Sequence, residues 1–119
     1  MNSKQKKLNE SLKVMDKSFH YREGIIKFSK YESFEHFLAK CFICYELKQC
    51  DHDFYTEAIF QKGLRADIFV PAWNEAIEVV NVEPEMSMKK KDRGYPVSVR
   101  FHLAKEIIKI NLERMGFRK

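Results

Sequence analysis

Apolar residues recur at helical spacing across Ser33–Gln49, where Phe34, Phe37, Leu38, Cys41, Phe42 and Tyr45 trace one stripe. Ser33 is a suitable N-cap, because its hydroxyl can accept from a first-turn N–H that the helix leaves unpaired. The period then shortens. Phe54–Gln61, Leu64–Val70 and Glu75–Val82 are short runs rich in Ile, Val and Phe, separated by Lys62-Gly63 and by the turn-like Pro71-Ala-Trp-Asn74. They predict three strands in meander. Glu85–Asp92 is charged and helix-compatible, with Gly94 to end it. Pro96–Leu103 alternates as a strand, with Val97, Val99, Phe101 and Leu103 on one side. Ala104–Met115 predicts a terminal helix that packs Ile107, Ile108, Leu112 and Met115 inward and stops at Gly116. Before all of these, Leu8, Leu12 and Met15 give residues 1–17 a short amphipathic pattern, and Gly24 breaks the stretch Phe19–Lys30. Helix, three strands, helix, strand, helix is the order of an α/β fold with a mixed four-stranded sheet flanked by helices.

Two acidic residues interrupt the central strands. If Val70 pairs with Glu75 across a four-residue loop, Asp67 falls directly opposite Glu78 on the same face. Cβ atoms of such neighbours lie about 4.5–5.5 Å apart, and like charges there are destabilising. A compensating cation is needed, and a hard divalent metal such as Mg²⁺, which prefers oxygen ligands, is the natural one. Glu57 joins the pair only if the preceding loop has three residues; a two-residue loop pairs Ala58 with Asp67 and turns Glu57 away. Glu35 lies on the Leu38–Phe42 side of the first helix, where it either reaches a neighbouring element or simply favours the first helical turn.

The length of 119 residues and mass of 14.2 kDa suit one domain with one modest core. No apolar run approaches a membrane span, and the polar Met1-Asn-Ser-Lys-Gln-Lys-Lys start lacks a secretion signal, so a cytoplasmic address is expected. A net charge of +5 makes a polyanionic partner plausible. Lysines crowd positions 4–17, and Lys89, Lys90, Lys91 and Arg93 form a second cluster; either is a solvated face or a phosphate contact. Three cysteines without a secretory context argue against a disulfide framework. Cys41-x-x-Cys44 with Cys50 and His52 invites zinc, but the first pair sits inside the helical pattern, where cysteines act as small hydrophobes.

The element order, with Glu35, Arg65-Ala-Asp67 and Ile77-Glu78-Val79, resembles the PD-(D/E)XK nuclease superfamily of restriction endonucleases and Holliday-junction resolvases. Glu35-His36-x-x-x-Lys40, His52-Asp-x-x-Thr-Glu57 and Arg65-Ala-Asp67 look like small archaeal or mobile-element members. The resemblance implies a restriction-endonuclease-like αβββαβ(α) core over residues 32–119, preceded by a basic extension over 1–31. It further implies hydrolysis of DNA phosphodiesters with Mg²⁺ or Mn²⁺, branched and single-stranded DNA among the substrates, and a homodimer. Asp67, Glu78 and the Val79 carbonyl would be metal ligands, and Glu35 a helix-borne acidic group. Lys62, Arg65, Lys90, Lys91 and Arg93 would hold flanking phosphates. The superfamily's usual lysine falls at Val80, so either Lys89, Lys90 or Lys91 on the following helix takes that part, or the metal alone activates the water. The alternative is a nucleic-acid-binding module that does not cut.

Overall fold

A computed structural model describes residues 24–60, 63–81 and 96–116. Within them, helix α1 (Phe34–Gln49) leads into strands β1 (Tyr55–Ile59), β2 (Arg65–Val70) and β3 (Glu75–Val80), followed by β4 (Ser98–Leu103) and helix α2 (Ala104–Arg114). The predicted helix over Glu85–Asp92, the amphipathic stretch over 1–17, and Lys62, Lys89, Lys90, Lys91 and Arg93 lie outside the described residues. No helix among the described residues is long and apolar enough to cross a membrane.

Local chemistry sets the boundaries. The Ser33 side chain accepts the His36 N–H and so caps α1, as its sequence position predicts. Pro71–Trp73 forms one 3-10 turn, and Asn74 closes it at φ 51°, a left-handed conformation that asparagine tolerates. The turn sets Val70 against Glu75, the register expected from the loop length.

The sheet is mixed, in the order β1-β2-β3-β4, with β1–β2 and β2–β3 antiparallel and β3–β4 parallel. Helix α1 covers one face through Cys44 and Leu47, which pack with Phe54, Ile68, Val70 and Ile77. Ala39 and Ala104 meet Val79 on the same side, where α1 and α2 come together with Ile43, Ile107 and Ile108. The other face buries Ala58, Phe60, Ala66, Phe69, Ala76 and Val97.

Two expectations about packing need correction. The aromatic stripe of α1 is not its buried face: Phe34 is 74% and Tyr45 64% exposed, whereas Ala39, Lys40, Cys44 and Leu47 are buried. The helix is apolar around most of its circumference, so the smaller side chains win the close approach to the sheet. Met115, expected to pack inward, is 61% exposed because α2 ends at Arg114.

Strand alternation breaks at Asp67. Ala66 and Phe69 share one core cluster although a regular strand would send them to opposite faces. On β1, the residue facing this point is Glu57, which sits at φ 50°. A left-handed non-glycine residue inside a strand is strained, and such strain needs strong local support.

Candidate functional site

Four carboxylates gather with His36 and Lys40 where β1 and β2 distort beside β3. Ala58 pairs with Ala66 and Thr56 with Ile68, which is the three-residue-loop register and sets Glu57 across from Asp67. Ile68 pairs with Ile77, so the same count along β3 sets Glu78 across from Asp67 on the other side.

Asp67 is the centre. Its Oδ2 accepts the Val79 N–H at 2.7 Å, taking the place a strand carbonyl would occupy. The same oxygen accepts from His36 Nε2 at 3.1 Å. The buried Glu78 side chain, set across from it by the β2–β3 register, also influences the Asp67 carboxyl. Burial pushes the Asp67 carboxyl upward, but His36, Glu78 and the Val79 amide outweigh it and hold the group below its usual range.

His36 is clamped between acids. Besides Asp67, it donates through Nδ1 to Glu32. The hydrogen bond to Asp67 is the larger influence, and against the opposing effect of burial it raises the imidazole to about 9. His36 is therefore a cation at neutral pH, directly beside Asp67.

Lys40 forms the base of the cluster. Its side chain is fully buried, and Nζ donates to the Lys27 carbonyl at 2.7 Å, to Glu32 at 2.8 Å and to Glu57 at 3.2 Å. Glu32 is itself 1% exposed and joins Lys40 to His36. Glu57 reaches outward as well, with its second oxygen 3.7 Å from the exposed Arg65 guanidinium.

Sequence reasoning placed Asp67, Glu78, the Val79 peptide and Arg65 in one neighbourhood, and Glu57 now has its register. Glu35 stands apart: it is exposed and lines the groove between α1 and α2 with Phe34, Leu38 and Glu106. The carboxylate that this end of α1 contributes is Glu32, just before the cap. His36 and Lys40, four residues apart, share one helical face behind it. Val80 ends β3 paired with Leu103. Trp73, at the hairpin tip, is 41% exposed and stands edge-on to His52 at 4.8 Å. Cys44 is packed in the core, and burial pushes its thiol up to about 12.

Among the described residues, no three His, Cys, Asp or Glu side chains are grouped to hold a metal ion. The donors that do converge are the two carboxyl groups of Asp67 and Glu78. No family model, curated protein or solved structure matches this chain.

Proposed function

We propose that this chain is a metal-dependent nuclease that hydrolyses DNA phosphodiesters on a restriction-endonuclease-like core. The observation that carries the reading is the β2–β3 register, which sets Asp67 across from Glu78. An antiparallel meander followed by a parallel fourth strand is the order that the resemblance calls for.

The donor chemistry fits a hard cation. Mg²⁺ keeps several waters and is commonly bound by one or two carboxylates together with substrate phosphates, so a full protein cage is not required. A divalent ion between Asp67 and Glu78 would relieve the repulsion of two carboxylates placed across neighbouring strands. Once bound, Mg²⁺ or Mn²⁺ supplies polarisation of the phosphate and a more acidic water. The chain's own residues prepare that place. Val79 N–H and His36 fix one oxygen of Asp67, which leaves its other oxygen and Glu78 to face a cation. Arg65, exposed at the edge, is suited to a backbone phosphate, as are Lys62 and the Lys89–Arg93 cluster by their charge.

A second reading has one observation in its favour. Val80 brings no ammonium to the end of β3, in keeping with a module that binds nucleic acid without cutting it. One experiment separates the two: supercoiled, single-stranded and branched DNA are incubated with the protein in Mg²⁺ or Mn²⁺. Cleavage that disappears in Asp67→Ala and in Glu78→Ala supports the nuclease. Salt-sensitive binding that survives Asp67→Ala, with no cleavage in either metal, supports the binding module. Cleavage at the parent's rate in both variants removes the two carboxylates from the mechanism.

A further inference from the structure

A fully buried lysine is an expensive way to hold a small fold together. Replacing buried ion pairs by well-packed apolar groups is often neutral or stabilising, so the pairing alone does not explain Lys40. Its partners do. Lys40 Nζ binds Glu32, Glu32 binds His36, and His36 Nε2 reaches Asp67 Oδ2. The chain of contacts runs from the interior to the one carboxylate that also meets Glu78. Every link is largely shielded from water: the side chains of Lys40, Glu32, His36 and Asp67 are 0%, 1%, 18% and 15% exposed.

Lys40 also ties down the elements that carry this chain. Its bond to the Lys27 carbonyl fixes the segment before α1, which Thr56 secures from β1 by accepting the Lys27 N–H and donating to the Ile25 carbonyl. Its third bond, to Glu57, holds the left-handed residue opposite Asp67. One ammonium thus sets the position of Glu32 on one side and the β1 distortion on the other.

We propose that Lys40 and Glu32 are positioning residues that act through His36 to orient the Asp67 carboxylate for a divalent cation. The role rests on the nuclease reading for its purpose, but the geometry it asserts exists in the metal-free protein. Groups that orient metal ligands from behind typically contribute 10–100-fold in metal affinity or activity.

Charge and orientation make opposite demands on two substitutions, and that separates them. Glu32→Gln removes a negative charge, which by electrostatics alone weakens cation binding. Lys40→Met removes a positive charge, which by electrostatics alone strengthens it. Positioning predicts that both weaken Mn²⁺ binding, by about 10-fold or more, in calorimetry or Mn²⁺ electron paramagnetic resonance. If Lys40→Met is too unstable to measure, His36→Leu removes a positive charge from the same chain and takes its place. Opposite shifts in the two variants, or affinities equal to the parent's, overturn the proposal.

A second readout needs no metal. The His36 ring is followed by ¹H–¹⁵N NMR in the parent, in Glu32→Gln and in Lys40→Met. Loss of the Nε2–H signature of the Asp67 hydrogen bond in folded Glu32→Gln is the expected result. An unchanged ring signal overturns the proposal whatever the metal does. A parent that binds no Mn²⁺ removes the nuclease reading instead, and the NMR result then decides the positioning role by itself.

Discussion

Lys40→Met is expected to destabilise the fold by about 3–5 kcal/mol, the range for removing one partner of a buried ion pair. The methionine fills similar space, so the loss comes from the partners and not from a cavity. Glu32, already 1% exposed, loses one of its buried cationic partners and keeps His36, and Glu57 keeps only the more distant Arg65. The Lys27 carbonyl loses the ammonium that it accepts from as well. Small domains have about 5–15 kcal/mol of stability in total, so this one change removes a large part of it. Denaturant titration of parent, Lys40→Met and Lys40→Met/Glu32→Gln measures the effect. The double variant should be less damaged than the sum of the two singles, because each single already removes the Lys40–Glu32 contact. A loss below about 1 kcal/mol in Lys40→Met would mean that the buried ammonium has little part in the fold.

Stability should also fall as the solution becomes alkaline, through His36. The imidazole is raised in the folded protein from 6.5 to about 9, first by the hydrogen bond to Asp67. A group with a raised folded value binds its proton more tightly when folded. Its contribution is therefore complete below about pH 6.5 and is lost as pH rises through about 9. Allowing for solvent at this partly exposed ring, the change amounts to about 1–2 kcal/mol. Lysine and tyrosine titrate in the upper part of the same window, so the comparison that matters is with His36→Gln. The parent should lose more melting temperature than that variant between pH 6.5 and 9.5. Parallel melting profiles would place the His36 proton outside the folding equilibrium. Asp67 acts at the other end: with its folded value lowered, its contribution is present near neutrality and is lost on strong acidification.

The parts of this protein that were legible in the sequence are those governed by neighbours in the chain. Ser33 announces the start of α1, and Pro71–Asn74 sets the hairpin, so Val70 and Glu75 pair as the loop length requires. From that register the opposition of Asp67 and Glu78 follows, because strand periodicity fixes where each side chain falls. The face of α1 was not legible. Phe34, Phe37, Leu38, Cys41, Phe42 and Tyr45 make the stronger apolar stripe, yet the sheet takes the side bearing Ala39, Cys44 and Leu47. Lys40 sits on that side, and a lysine inside a core can be recognised only once its acceptors are in view. Two of them, Glu57 and the Lys27 carbonyl, come from segments 17 and 13 residues away. Glu32 was hidden for the same reason: it precedes the helix in an irregular stretch, where no periodicity assigns it a direction. Glu35, three residues on, occupied the more regular position and turned outward to the groove beside α2.

The proposed activity requires a divalent cation bound at Asp67 and Glu78. A crystal soaked in Mn²⁺ and measured at the manganese absorption edge tests this directly, since the anomalous signal locates the ion without reference to activity. The expected result is a peak between the Asp67 and Glu78 carboxylates, absent from Asp67→Ala crystals. A fully occupied peak elsewhere, with none between these two carboxyl groups, would contradict it.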